Sequence, residues 1–86
     1  MYKVSEDIII KKRGSIFFAL NMKTGTTYEM NESQFDIIQF FDGVEHSEAE
    51  VLDYLSTIYN VSVDDIRDEV HFAIEHSYSV GLLVRA

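Results

Sequence analysis

The side chains able to do chemistry are few and poorly spaced for it. Three histidines, His46, His71 and His76, are the natural candidates for metal ligation or proton transfer. His71 and His76 lie five positions apart, which sets them on different sides of a helix, and His46 falls in a connection, so a metal would have to recruit distant acids. Serine and aspartate are plentiful, but no Gly-x-Ser-x-Gly turn, phosphate-binding loop or paired-carboxylate motif accompanies them. Cysteine is absent, which removes thiolate ligands, disulfides and a thiol nucleophile together. No catalytic residue, metal or cofactor is expected. Charge is the stronger signal: fifteen acids against seven Lys and Arg give a net −8, which repels a phosphate backbone and argues against nucleic acid as a partner. Its distribution is uneven. Asp64, Asp65, Asp68, Glu69 and Glu75 crowd the last third, whereas Lys11, Lys12 and Arg13 sit together near one end. Asp64 and Asp65 suit the positive end of a helix dipole; Asp68, Glu69 and Glu75 are an excess able to steer a ligand carrying Lys or Arg.

The elements that must position these groups follow from periodicity. Eighty-six residues, 47% of them hydrophobic, make one domain with one small core. No apolar run approaches ~18 residues, so no membrane span is expected. The start, MYKVSEDIII, lacks the features of a secretion signal, and together with the missing cysteines this gives a cytoplasmic expectation. Ile8 to Lys12, Ile16 to Asn21 and Thr26 to Met30 read as three β-prone runs joined by short turns, an antiparallel meander. Three helices follow. The first spans about Glu32 to Asp42 with Gly43 as a left-handed C-cap. The second is announced by the Ser47/Glu50 capping box and carries Val51, Leu52, Leu55, Ile58 and Tyr59 on one face. Asn60 and Ser62 break and re-cap the chain, and the third helix runs from Val63 to Ser79 with Val63, Ile66, Val70, Ala73, Ile74 and Ser77 inward, before Gly81 and an apolar tail. The expected fold is α+β, a winged helix-turn-helix with a three-stranded antiparallel sheet followed by three helices.

One junction is better specified than the rest. In TGTTYEMNESQFDII, residues 24 to 38, the period switches from two to a helical spacing at Asn31, which with Gln34 has the form of a capping box. The strand it fixes, Thr26 to Met30, carries one charge, Glu29, and neither proline nor lysine, whereas the first strand guards its edge with Lys11, Lys12 and Arg13. The Thr26–Met30 edge is open for pairing.

These features resemble the PqqD-like proteins, the recognition elements that bind leader segments of ribosomally made, post-translationally modified precursor peptides (RiPPs). The resemblance rests on NMKTGTTYEMNESQFDIIQFFDG, on YNVSVDDIRDEV entering the last helix and on the closing Gly81, Leu82 and Leu83, and it spans Ile8 to Val84. It implies that a leader peptide adds as a strand to the third strand beside the last helix, and that a separate peptide-modifying enzyme or leader peptidase then acts on the precursor. Main-chain bonds would supply affinity and side-chain pockets specificity. Stand-alone versions of this size resemble the lasso-peptide type. Two departures are Ala73 and Ser77, where the family carries large apolar residues, and a missing glycine pair before the second helix.

The candidate binding residues are Thr26, Thr27, Tyr28, Glu29 and Met30 on the strand, and Ile66, Glu69, Val70, Phe72, Ala73 and Ser77 on the last helix. Ala73 and Ser77 either shape a pocket for a leader side chain or are filled by neighbours in the core. Tyr28 and Met30 are equally well explained as core residues of a small sheet, and Phe72 as a surface aromatic. The rival functions are a winged-helix DNA regulator, whose recognition helix would here have the wrong sign of charge, and an adaptor for a folded partner.

Overall fold

The strand-to-helix switch at Asn31 organises the molecule. The computed structural model describes all 86 residues in the order β1 (Tyr2–Val4), β2 (Ile8–Arg13), β3 (Ile16–Asn21), β4 (Thr27–Met30), α1 (Glu32–Gln39), α2 (Glu48–Tyr59), α3 (Val63–Ser79) and β5 (Leu83–Arg85). Asn31 stays extended, its side chain accepts from the Gln34 amide at 2.8 Å, and Gln34 Oε1 accepts from the Asn31 amide at 3.2 Å. Two otherwise orphaned amides are satisfied within four residues, so β4 enters α1 at a fixed angle.

Strands β2, β3 and β4 form an antiparallel sheet in that order, the expected meander. Thr26 lies just outside β4, in a turn where Asn21 Oδ1 accepts from the Lys23 and Thr24 amides and Gly25 takes φ +76°. Along β4, Tyr28 and Met30 are half-buried and packed on the core while Thr27 and Glu29 are exposed, the alternation a one-sided sheet demands.

Three features differ from the sequence reading. The first helix ends at Gln39 rather than Asp42. Phe41 is drawn into the core and its carbonyl accepts from the Val4 amide at 3.0 Å, so the backbone must leave the helix there; Gly43 adopts φ +78° in the following turn instead of capping. On α2, Val51, Leu52 and Leu55 are buried as expected, but Ile58 and Tyr59 are exposed, because Asn60, left-handed at φ 53°, turns the chain away before the last turn of α2 is covered. The apolar tail is a strand: β5 pairs antiparallel with β1, Val4 opposite Leu83 and Tyr2 opposite Arg85.

The helix pair α2–α3 is joined by Asn60 and the N-cap Ser62, which accepts from the Asp64 amide at 3.2 Å. Helix α3 packs on α1, α2 and β5. Phe41, Ile38, Ile74, Leu83, Val51 and Val70 are fully enclosed, so sheet, helices and terminal strands share one core. The architecture is α+β, a winged helix-turn-helix with a second, two-stranded sheet made by the termini.

Candidate functional site

The register of β4 decides which of its backbone groups are free. The Asn21 amide donates to the Thr26 carbonyl at 2.8 Å, making those two residues a hydrogen-bonded pair. Because such pairs alternate along an antiparallel ladder, Tyr28 bonds to Ala19 and Met30 to Phe17, their partners in the register. The amides and carbonyls of Thr27 and Glu29 therefore point away from the sheet, toward an edge that no strand of this chain occupies.

Beside that edge lies a hollow of about 300 Å³ between β4 and the C-terminal half of α3. Thr27, Tyr28, Glu29 and Met30 form one wall, His76, Ser77 and Val80 the other, and Gln34, Ile38 and Leu82 line the remainder. The Tyr28 hydroxyl donates to the Val80 carbonyl at 3.5 Å, joining strand to helix. Ser77 is only 5% exposed yet lines the hollow. Ala73, one turn earlier, is packed in the core cluster and does not line it. Phe72 is 68% exposed and lies parallel to the His76 ring, interplanar angle 5° and centroids 6.1 Å apart, so with His76 it makes an aromatic lip.

The other candidates fall elsewhere. Ile66, Glu69 and Val70 line a second hollow of about 330 Å³, toward the N-terminal half of α3, together with Ser33 and Ile37 of α1 and Leu55, Tyr59 and Val61 at and after α2. The structure thus brings Thr27 to Met30 together with Ser77, and separates them from Ile66, Glu69 and Val70. His76, Val80, Gln34, Ile38 and Leu82 were not among the binding residues expected from the sequence. Phe72, His76 and Val80 are spaced four apart, one stripe beside Ala73 and Ser77, and that spacing was the available signal.

The carboxylates of β4 and α3 outnumber their cations, and the one Arg is already paired. Asp64 pairs with Arg67 at 3.0 Å, but Glu29, Asp68, Glu69 and Glu75 are exposed and make no salt bridge. The histidines are dispersed: His46 contacts Glu50 at 3.1 Å, His71 contacts Glu48 at 3.0 Å, and His76 stacks on Phe72. The Glu48 carboxylate holds the His71 imidazole above its usual pKa, and backbone and His46 hydrogen bonds hold Glu50 below its own. No three His, Asp or Glu side chains converge as metal ligands, and no helix is long and apolar enough to cross a membrane. Outward backbone groups, an adjoining half-apolar hollow and an acidic flank can hold an extended chain by main-chain hydrogen bonds and sort it by side chain and charge.

Two solved structures share the fold. TbiB1, in complex with the TbiA(beta) leader peptide, superposes with a TM-score of 0.79 at 15% identity, covering 98% of this chain and 96% of that one. Lasso peptide synthetase B1, complexed with the leader peptide, gives a TM-score of 0.76 at 18% identity with 98% of both chains covered. No curated protein matches the sequence significantly. Residues 17–83 match the family model described as coenzyme PQQ synthesis protein D (PqqD), a span that includes all of β3 but its first residue, β4, all three helices and the whole lining of the β4–α3 hollow, and the chain accordingly belongs to the PqqD family.

Proposed function

We propose that the protein is a non-catalytic recognition element that captures the leader segment of a ribosomally made precursor peptide and presents it to a separate maturation enzyme. The observation that carries this reading is the open β4 edge facing the β4–α3 hollow, in a fold shared with two proteins each solved in complex with a leader peptide. The leader adds as a strand through the outward groups of Thr27 and Glu29, and a leader side chain enters the hollow against Tyr28, Met30 and Ser77. Because the Asn31 capping box fixes β4 before the peptide arrives, less ordering entropy opposes binding. Holding the leader raises the effective concentration of the attached core at the enzyme. Likeness to lasso peptide synthetase B1 favours a leader peptidase over a radical SAM enzyme as that partner. The setting is the cytoplasm, where precursors are made, with neither membrane nor nucleic acid involved; the acidic flank of α3 disfavours a DNA-reading role.

The test is a fluorescence-anisotropy titration with a labelled leader peptide from the precursor gene adjacent to this one. Saturable binding at micromolar concentration or below, competed by unlabelled leader and not by a scrambled peptide, is expected. Equal affinity for leader and scramble would overturn the reading.

A further inference from the structure

A recognition element of this kind needs a second surface, and the structure offers one. Resting on the leader-presentation reading above, we propose that the face made by α1 and the second half of α2 docks the maturation enzyme, which inserts an apolar side chain flanked by Lys or Arg, while β4 keeps the leader.

The face begins with the exposed end of α2. Tyr54, Ile58, Tyr59 and Val61 are all exposed, although the spacing of Ile58 and Tyr59 suits burial. Scattered apolar residues need no explanation, but a contiguous group does. These four are linked. Tyr54 and Ile58, one turn apart, line a hollow of about 270 Å³ with Asp36, Gln39 and Phe40. Tyr59 and Val61 border the α1–α2–α3 hollow on the other side, and the Tyr59 hydroxyl donates to the Asp36 carboxylate, forming the ridge between the two. The floor is held in place: the Phe40 ring lies 4.8 Å from Tyr54 and 4.2 Å from His46, tilted by 32° and 36°. A firm aromatic floor limits the ordering a partner must impose.

Charge identifies the occupant. Neither α1 nor α2 contains a Lys or Arg, while Glu32 and Asp53 are exposed and Asp36 half-exposed on these helices. Both Asp36 and Glu32 act on Tyr59, whose phenol is pushed up to about 12 chiefly by its bond to Asp36. Such a rim attracts a cation and rejects another acid. Geometry keeps the two ligands apart. On α1, Gln34 and Ile38 face the β4–α3 hollow whereas Asp36, Gln39 and Phe40 face the other side, so one helix serves as the wall between leader and enzyme. A second copy of this chain would have to bring its Lys or Arg from other elements, such as the Lys11–Arg13 end of β2, Lys23 in the β3–β4 turn or Arg85 on β5, and so could meet this face only by a heterologous contact, not a two-fold one.

The variants are Tyr54→Lys, Ile58→Lys and the pair, all at exposed positions outside the leader groove, with unchanged melting temperature as the check on folding. Three measurements use the purified protein, its leader peptide and the purified maturation enzyme from the same gene neighbourhood: leader affinity, enzyme affinity by biolayer interferometry, and the rate of precursor conversion. Leader affinity within about twofold of wild type, with enzyme affinity and conversion down by at least about tenfold in the double variant, is expected. Unchanged enzyme affinity and conversion would overturn the proposal. So would a tenfold loss of leader affinity in folded protein, which would assign the face to the leader, or a wild-type dimer that the substitutions dissociate, which would assign it to a second copy. Failure of the wild type to bind leader would instead sink the leader-presentation reading itself.

Discussion

The two edges of the β2–β3–β4 sheet share a partner strand and differ in almost everything else. Residues of β3 alternate: the Met22–Asp7 bond at 2.8 Å sets Phe18 and Leu20 toward β2, and the Asn21–Thr26 bond sets Phe17 and Ala19 toward β4. Each edge therefore presents free amides, those of Ile10 and Lys12 on one side, where the Ile8 amide is taken by the Ser5 carbonyl, and those of Thr27 and Glu29 on the other. At β2 the end of the row carries Lys11, Lys12 and Arg13, all exposed, with Lys12 drawn over the Phe17 ring at 5.4 Å. At β4 the row is short, acidic and backed by a hollow. A free edge becomes a binding site only when something beside it rewards the right side chains and nothing along it repels a strand.

The sharpest way to break the comparison is proline scanning of both edges. Thr27→Pro or Glu29→Pro removes an outward amide and should weaken leader binding by at least about thirtyfold, roughly 2 kcal/mol. Lys12→Pro removes an outward amide from the guarded edge, where edge strands tolerate proline, and should leave leader affinity unchanged. Anisotropy titrations on the three variants give the answer; equal losses at both edges would mean that the leader does not distinguish them.

The hollow behind β4 is the next difference. Ser77→Leu fills it, so leader affinity should drop by at least about tenfold, roughly 1.4 kcal/mol, with the melting temperature unchanged or raised. Ala73→Leu, one turn away in the packed core, should do the reverse, costing about 1 to 3 kcal/mol of stability while the folded fraction still binds leader. Thermal melts and titrations on the same samples separate the two positions; if Ser77→Leu binds leader normally, no leader side chain uses the hollow.

Charge should matter less. Reversing Asp68 and Glu69 to Lys should slow leader association about threefold at low salt, an effect fading as salt rises. Reversing Lys11 and Arg13 to Glu should not slow it. Stopped-flow rates at two ionic strengths test both.

The smallest expected effect concerns the brace between α2 and α3. The folded pKa of His71 is raised above 6.5 by Glu48, so the pair's stabilisation is fully present below about pH 6.5 and is lost as pH rises through the higher folded value. Melting temperature should fall slightly from about pH 6 to about pH 8, and His71→Gln should remove that part of the slope. A slope identical in the variant would assign it to other groups.

What the sequence disclosed was mostly local. The Asn31 and Ser47 capping boxes, the Ser62 cap and both ends of α3 depend on contacts within four residues, and all are read directly from side-chain type and spacing. The open edge was legible because charge and proline content along a strand are written in it. The end of α1 was not, since it depends on Phe41 handing its carbonyl to Val4, and β5 was not, since its partner lies at the opposite end of the chain. Ser77 was expected in the binding site but the residues lining the hollow with it, His76, Val80 and Leu82, were not, because the hollow exists only after α3 has docked.

The pairing of β1 with β5 has a topological consequence. With the Ala86 amide donating to the Met1 carbonyl at 3.0 Å, the backbone is very nearly a closed loop. The ends meet at a strand pair distinct from the sheet that carries β4, so a short linker could join them and new termini could be opened at Gly14, in the exposed β2–β3 turn. Such a circular permutant would keep both β4 and the α1–α2 face intact, and it would move any attached protein from the meeting point of the old ends to the tip of the wing.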